Sequence, residues 1–241
     1  MVSNADDGAG DDGAGPDLKA GTAIRSLLPP GVAAYEEFSD DPGEPAYPGE
    51  DQLIAKAVEA RRREFVTARR CARRALADLG FPPAPILAGT RREPLWPAGV
   101  SGSITHCAGY RAAAVARTAD LAGLGIDAEP DEPLPPGVAE MVTSEREREW
   151  LSELAAQEPR TSWGRLLFSA KESVYKAWYP LTGRWLGFEE AELAIDREAR
   201  TFRARLLVDG TRLDGGPPLT ELTGRFVAGR GLLLTAVTVR R

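Results

Sequence analysis

The chain has 241 residues, of which 43% are hydrophobic and 27% charged, values that are ordinary for a globular protein. This length allows one large domain or two small ones with an apolar core, without metal or disulfide crosslinks. No apolar run reaches the roughly 18 residues of a bilayer span, and no secretory signal pattern opens the chain. We therefore expect a cytoplasmic protein without membrane contact, whose two cysteines, Cys71 and Cys107, are reduced and buried. Its single histidine, His106, excludes a multi-histidine metal site.

The net charge of −6 is concentrated in residues 1–17. This segment contains five aspartates among small residues and no basic residue, which predicts a disordered acidic tail. The remaining body is close to neutral, so the overall acidity says little about the partners of the protein.

Apolar residues at helical spacing predict three helices, over residues 52–79, 144–156 and 163–179. Ser144 and Glu147 form a capping-box pattern at the second helix, and Pro180 should end the third. Residues 85–87, 93–97 and 100–107 are short segments between the first helix and the strands that follow. Strands are predicted at residues 112–116 and 124–128 with a turn between them, and near the end at residues 201–208, 224–227 and 232–239. Helices mixed with short antiparallel strands predict an α+β protein.

The first predicted helix contains seven arginines and one acidic residue within residues 61–74. On a helical wheel Arg69 lies at the border of the apolar face, whereas Arg61 points into the apolar sector. A charged side chain in that sector conflicts with simple amphipathic packing unless it meets an anion. Guanidinium groups bind phosphates through paired hydrogen bonds, so this helix is a candidate phosphate site. A solvated helix face is the alternative.

Residues 102–107 are small and polar and include Ser103, Thr105 and His106. Their hydroxyl groups, exposed backbone N–H groups and imidazole could hold a phosphate. A purely structural histidine is the alternative interpretation of this segment.

Asp127 and Glu129 lie two residues apart on a predicted strand, so their carboxylates point to the same face. Two carboxylates of this kind suit a hard cation such as Mg²⁺, while a solvent-facing edge strand is the alternative. On the third helix Glu172 and Lys176 form an i,i+4 pair, which by itself requires only a surface salt bridge. Together these segments offer a cation site, a phosphate clamp and lysines, as phosphoryl-group transfer requires.

Residues 125–129 (Gly-Ile-Asp-Ala-Glu), followed by residues 168–177 (Phe-Ser-Ala-Lys-Glu-Ser-Val-Tyr-Lys-Ala), resemble the paired signature of 4'-phosphopantetheinyl transferases of the Sfp/EntD type. Residues 102–110 resemble the strand of this family that contacts coenzyme A (CoA), and the arginine helix resembles its CoA-phosphate segment. Further similarity to the actinobacterial PptT branch lies at residues 85–87, 178–180 and 184–188.

The resemblance implies transfer of the phosphopantetheine arm from CoA to a serine of an apo acyl or peptidyl carrier protein, with release of 3',5'-ADP. It implies a Mg²⁺ site, which Mn²⁺ could also occupy, with Asp127 and Glu172 as direct ligands and Glu129 either as third ligand or holding a metal-bound water. Glu172 would also deprotonate the carrier serine, with Asp127 and Lys176 as the other catalytic residues. The residues expected to hold CoA are Arg61, Arg69, Ser103, Thr105, His106, Lys171 and Lys176.

The same resemblance implies two similar α/β half-domains in a pseudo-twofold arrangement, over residues 18–123 and 124–241, with CoA between them and a monomeric chain. One departure concerns Ala88, where relatives often have a lysine, so that Arg91 or Arg92 could supply the missing CoA contact.

Three other functions remain open at this point. The arginine helix could bind nucleic acid, although a near-neutral body argues against such a partner. The carboxylates could serve a Mg²⁺-dependent phosphohydrolase, or the chain could bind carrier proteins without catalysis. The identity of the carriers, from fatty-acid, polyketide or nonribosomal-peptide synthesis, is also open.

Overall fold

The computed structural model describes residues 23–241, so the predicted acidic tail lies outside the described residues. The helices are α1 (Glu59–Asp78), α2 (Val138–Val142), α3 (Glu145–Gln157) and α4 (Trp163–Thr182). The strands are β1 (Ala33–Glu37), β2 (Val100–Cys107), β3 (Tyr110–Arg117), β4 (Leu121–Pro130), β5 (Ala191–Asp196), β6 (Thr201–Leu206), β7 (Glu221–Gly229) and β8 (Leu232–Arg240). Short 3₁₀ turns lie at Ile24–Leu27, Asp51–Ile54 and Phe188–Glu190.

The first part of the chain forms a three-stranded antiparallel sheet in the order β1-β3-β2, on which α1 packs. The helix faces the sheet with small side chains, chiefly Cys71, Ala72 and Ala75, which meet Ala113 and Val115 of the central strand. Small residues allow the helix to lie close to the sheet.

The second part forms a five-stranded antiparallel sheet in the order β4-β8-β7-β6-β5, with α4 packed on β4 and β8. Its core is larger, because aromatic side chains fill the space between helix and sheet. Trp163, Trp178, Phe202 and Phe226 are all buried there. A further apolar cluster joins the two sheets, in which Ile126 of β4 is fully buried.

The α+β class is therefore confirmed, with two antiparallel sheets and a 20-residue helix packed on each. The two units differ in strand number, three against five. The connection between the sheets lies at residues 118–120, where the Asp120 N–H donates to the Arg117 carbonyl. The division into half-domains at residue 123 stays a prediction, although Gly123 itself lies within β4.

Several predicted element boundaries were wrong. The first helix begins at Glu59 rather than at residue 52, because Val58 is extended and separates it from the preceding 3₁₀ turn. The last helix runs past Pro180 to Thr182, because a proline in the final turn removes only one N–H. Gly183 then ends it in the left-handed conformation, donating to the Tyr179 carbonyl at 2.8 Å.

The predicted strands at residues 112–116 and 124–128 exist as β3 and β4, but they lie in different sheets and do not pair. Sequence reasoning missed β1 and β5 altogether. The Ser144–Glu147 capping box of α3 is confirmed. Of the cysteines, Cys71 is buried as expected, whereas Cys107 is only partly buried. None of the helices within residues 23–241 combines the length and apolar character that crossing a bilayer requires.

Candidate active site

The edge strands β2 and β4 lie side by side and are joined by side-chain hydroxyl groups. Ser103 Oγ accepts from the Ile126 N–H at 3.0 Å, and Thr105 Oγ1 accepts from the Ala128 N–H at 3.0 Å. Both side chains are 3% exposed. Both hydroxyls therefore have partners within the protein, and the expected contact of Ser103 and Thr105 with CoA stays a prediction. Because alternate residues of a strand share a face, the two hydroxyls point together towards β4 and hold the sheets in register.

Asp127 of β4 is placed at this junction and is 5% exposed. Its Oδ1 accepts from Lys176 Nζ at 2.7 Å and from Thr105 Oγ1 at 3.1 Å. Its Oδ2 is buried and has no hydrogen-bond partner within residues 23–241. Since an unpaired buried carboxylate oxygen is unfavourable, this atom is available for a bound cation.

Gly125 explains how α4 comes so close to Asp127. A Cβ atom at this position would overlap the Ser173 carbonyl and the Ala177 N–H of the helix. A side chain here would therefore push α4 away from β4 and separate Lys176 from the carboxylate that it contacts. Close packing of backbone on backbone is a common reason for glycine in a strand.

Glu172 lies one helical turn before Lys176 on α4, and its carboxylate forms no hydrogen bond or ion pair within residues 23–241. Burial raises the pKa of Glu172, Lys176 opposes this shift, and the nearby charge of Asp127 adds to it. A half-buried carboxylate with a raised pKa and no partner has the properties of a general base.

Glu129 was predicted as a third metal ligand, but the structure pairs it with Arg165 at 3.0 Å. Arg165 also donates to the carbonyls of Glu132 and Pro133, at 3.1 and 2.8 Å, and so ties the end of β4 to the start of α4. Within residues 23–241 no three acidic, histidine or cysteine side chains converge on a possible metal site. The predicted set of three carboxylates is therefore not assembled, because one member binds a guanidinium instead.

Arg61 and His106 are brought together as predicted, at one end of β2. The guanidinium donates to the imidazole, with Nη1 2.9 Å from Nδ1. Burial, together with the positive charges of Arg61, Lys176 and Arg111, lowers the pKa of His106 to about 4, against a smaller opposing effect of Asp127. The imidazole is therefore neutral near pH 7 and accepts from Arg61. Arg61 is exposed and pairs with the Glu64 carboxylate at 3.3 Å, so the anion that the helical wheel called for is supplied by the same helix.

Arg69 is held inside the N-terminal unit. Its Nε donates to the Ile86 carbonyl at 2.9 Å, and its guanidinium lies 3.5 Å above the centre of the Phe65 ring. Burial lowers its pKa to about 10, Glu50 opposes this, and Arg73 and Arg61 contribute to it. Its two amino groups form no hydrogen bond within residues 23–241, which leaves them available to an anion beside Arg61.

Most other arginines of α1 bind carboxylates of the same unit. Arg70 pairs with Glu44, Arg73 with Glu50 and Arg74 with Glu37. These contacts give most arginines of the cluster a partner within the protein, so that the cluster does not by itself require a ligand.

The prediction that Lys171 holds a CoA phosphate gains no support from its position in the fold and stays a prediction. Its Nζ donates to Glu147 and to the Phe188 carbonyl, both at 2.9 Å, and its side chain is 3% exposed. Glu147 is fully buried and also accepts from the N–H groups of Ser144 and Leu193. Lys171 therefore supports the packing of α3, α4 and β5, although it is adjacent in sequence to Glu172.

A pocket of about 200 Å³ opens between β2 and α4 beside Glu172 and Lys176. Sequence reasoning missed its aromatic lining, which comes from Trp96, Tyr175 and Tyr179. The two tyrosines follow Glu172 at helical spacing, and this signal could have placed them on its face of α4. Arg91 and Arg92 stand at the other side of the same pocket.

Comparison with known proteins agrees with this geometry. The model of the 4'-phosphopantetheinyl transferase N-terminal domain matches residues 49–116, and the model of the 4'-phosphopantetheinyl transferase superfamily matches residues 123–214. The chain is 56% identical to the 4'-phosphopantetheinyl transferase Svp of Streptomyces mobaraensis, over 90% of this chain and 89% of that protein. It is 48% identical to PptT of Mycobacterium tuberculosis, over 92% of this chain and the full length of that protein.

A more distant similarity extends to enterobactin synthase component D of Salmonella typhi, which is 35% identical over 54% of this chain and 53% of that protein. The family transfers the phosphopantetheine group from CoA to carrier proteins. The matched regions contain the residues of the β2, β4 and α4 junction described above. The chain therefore belongs to the 4'-phosphopantetheinyl transferase superfamily.

Proposed function

We propose that the junction of β2, β4 and α4 is the reaction centre at which this chain transfers phosphopantetheine from CoA to a carrier serine, in a Mg²⁺-dependent reaction. The observation that carries the proposal is the pair of carboxylates left incomplete at this junction. Asp127 has a buried oxygen without a partner, and Glu172 has no partner for either oxygen within residues 23–241.

The donor set fits Mg²⁺. This ion commonly takes one or two protein carboxylates and completes its octahedron with water and substrate phosphate. Asp127 Oδ2 and Glu172 would be those two ligands, with Glu129 kept apart by Arg165. Mn²⁺ accepts the same oxygen ligands. When bound, the ion supplies charge neutralisation at the pyrophosphate.

Residues of this chain carry the proton and the charge in the transfer. Glu172 accepts the proton of the carrier serine, whose oxygen bonds to the phosphorus that bears the pantetheine arm. The bond from that phosphorus to the bridging oxygen breaks, and 3',5'-ADP leaves with the electron pair. Lys176, held by Asp127 at 2.7 Å, faces the developing negative charge.

The cleft beside this junction consists of the pocket between β2 and α4 and the end of β2 that carries His106. Its two ends differ in chemical character, which suggests the direction in which CoA lies. Arg61, Arg69 and His106 offer hydrogen-bond donors or positive charge at one end, which suits the phosphates of the adenosine part. Trp96 and Tyr175 line the other end, which suits the uncharged pantetheine arm. The reacting phosphorus then falls near Glu172 and Lys176.

The proposed acceptors are apo acyl or peptidyl carrier proteins of fatty-acid, polyketide or nonribosomal-peptide synthesis. We propose a monomer acting in the cytoplasm without nucleic acid or membrane. The pairing of Arg70, Arg73 and Arg74 with carboxylates supports the absence of a nucleic acid partner, since it leaves α1 few free charges for a nucleic acid backbone.

The test is intact-protein mass spectrometry of an apo acyl carrier protein and an apo peptidyl carrier domain after incubation with this chain, CoA and Mg²⁺. We expect each accepted carrier to gain one phosphopantetheine mass, and we expect EDTA to abolish the gain. Release of phosphopantetheine from CoA without any carrier would instead indicate a phosphohydrolase. No gain with any carrier would contradict the proposal.

A further inference from the structure

A tight turn at residues 89–93 precedes β2 and closes on itself. The Gly89 N–H donates to the Glu93 carbonyl at 2.8 Å, and the Arg92 N–H donates to the Gly89 carbonyl at 3.1 Å. The Arg91 N–H donates to the Glu93 carboxylate at 2.8 Å. These three hydrogen bonds fix the shape of the turn.

The turn also contains a backbone conformation that side chains rarely adopt. Arg92 has a φ of 67°, in the left-handed region that favours glycine. A Cβ atom at Gly89 would overlap the Glu93 carboxylate, which would then have to move and lose its hydrogen bond from the Arg91 N–H. Backbone strain of this kind is concentrated at functional sites, where the surrounding structure maintains it.

The turn presents two guanidinium groups that the rest of the described chain does not use. Arg91 and Arg92 are exposed, and neither side chain forms an ion pair or hydrogen bond within residues 23–241. They differ in this respect from Arg70, Arg73 and Arg74 of α1, each of which binds a carboxylate. Two adjacent unpaired positive charges favour an anionic partner from outside the chain.

Exposed leucines lie at the base of the same turn. The Leu95 N–H donates to the Leu87 carbonyl at 2.9 Å, and the two residues are 49% and 42% exposed, respectively. Apolar side chains beside arginines are typical of protein interfaces. A phosphate group would engage the arginines but would leave the leucines in water. The combination therefore favours an acidic protein surface over a phosphate.

Arg91 and Arg92 line the same pocket as Glu172 and Lys176. Whatever protein brings a serine to Glu172 must therefore pass close to this turn. We infer that residues 87–95 form a docking surface for the carrier protein, with Arg91 and Arg92 binding acidic residues around its serine and the leucines contacting apolar side chains. This inference rests on the proposed function.

The test compares Arg91→Glu, Arg92→Glu and the double variant with the wild-type chain, using an apo acyl carrier protein of net negative charge. We expect the KM for the carrier to rise about tenfold or more in the double variant, because two attractions become repulsions. The rise in the KM for the carrier should exceed any change in the Kd for CoA, measured by calorimetry, since electrostatic steering acts on the encounter with the carrier.

Arg197→Glu is the matched control, because Arg197 lies between β5 and β6 and has no partner within residues 23–241. It makes the same change of charge and should leave the KM for the carrier unchanged. The KM of the wild-type chain should also rise with salt concentration more steeply than that of the double variant.

An unchanged KM for the carrier in the double variant would overturn the inference. So would a weaker Kd for CoA together with an unchanged carrier KM, which would assign the arginines to a CoA phosphate. A wild-type chain that modifies no carrier would overturn the proposed function, and this inference with it. Transfer by the double variant with an unchanged KM for the carrier would overturn this inference and leave the proposed function standing.

Discussion

The two long helices of this protein each pack on an antiparallel sheet, but they use their charged side chains differently. Helix α1 contains seven arginines, and most of them bind carboxylates or carbonyls of the same unit. Helix α4 contains fewer charges, yet its Glu172 has no partner within residues 23–241. The density of charge in a sequence therefore says less about function than the charge that folding leaves unsatisfied.

The same contrast holds between neighbours on α4. Lys171 is buried against Glu147 and supports the packing of three elements, whereas Glu172 faces the cleft. One residue along the helix turns a side chain through about 100°, which is enough to move it from the core to the site. The following predictions test this difference between charges that stabilise the fold and charges that act on a substrate.

The largest effect is expected for Asp127→Asn, which removes the partner of Lys176 and the charge on the unpaired oxygen. Transfer should fall by about 10²–10⁴-fold, in the range typical of removing a group that acts on the reacting atoms. The rate of carrier modification at saturating CoA measures this loss. Glu129→Gln on the same strand should cost less, about tenfold, because Arg165 already occupies that carboxylate. Equal losses for the two variants would contradict the separate roles assigned to them.

Lys171→Met should instead reduce stability, because it leaves the buried Glu147 carboxylate without its cation. Removing one partner of a buried ion pair typically costs about 3–5 kcal/mol. Urea unfolding followed by circular dichroism measures this loss, and the folded fraction should still transfer at near the wild-type rate. A fully stable Lys171→Met variant with impaired CoA binding would return Lys171 to the site.

A smaller effect is expected for Arg61→Ala, which removes a donor from the open end of the cleft. The Kd for CoA should rise about tenfold, which corresponds to about 1.4 kcal/mol. Arg74→Ala is the control, because Arg74 lies on the same helix, is similarly exposed and also pairs with a carboxylate, Glu37 at 2.9 Å, as Arg61 pairs with Glu64 at 3.3 Å. Calorimetry should find its CoA affinity unchanged. Loss of affinity in both variants would indicate a general effect of helix charge.

The smallest effect concerns the titration of His106, the single histidine of the chain. Burial lowers its pKa to about 4 from an ordinary value of 6.5, with Arg61 contributing. The unfolded chain then binds the proton more strongly than the folded one, so this group makes stability fall as the pH drops from about 6.5 to about 4. Proton NMR of the imidazole resonance measures the pKa directly. A value near 6.5 in the CoA-free protein would contradict the buried, arginine-paired environment.

The sequence was sufficient to predict the α+β class and most strands, because local spacing determines them. The roles proposed for Asp127, Glu172 and Lys176 came from the family resemblance, since their spacing alone required no more than a surface salt bridge. The sequence did not indicate that Lys171 binds Glu147, which lies 24 residues away on another helix, since such a contact depends on how the elements pack. Partners of this kind are set by tertiary structure and leave no local periodic signal.

Ser103 and Thr105 illustrate a second kind of contact that the sequence did not indicate. Their composition suggests a phosphate site, but the neighbouring strand β4 offers backbone N–H groups at the same spacing and takes both hydroxyls. Which neighbour an edge strand meets depends on sheet order, and here β2 and β4 belong to different sheets. The ion pair of Glu129 with Arg165 likewise depends on how the end of β4 packs against the start of α4.

The most direct test of the central claim compares Glu172→Gln with Lys171→Met in one transfer assay, at equal concentrations of folded protein. The account predicts that Glu172→Gln keeps wild-type stability and loses transfer by about 10²–10⁴-fold, the usual contribution of a general base. It predicts that Lys171→Met transfers at close to the wild-type rate once the unfolded fraction is subtracted. Wild-type transfer by Glu172→Gln would contradict the claim that folding leaves this carboxylate free for the reaction.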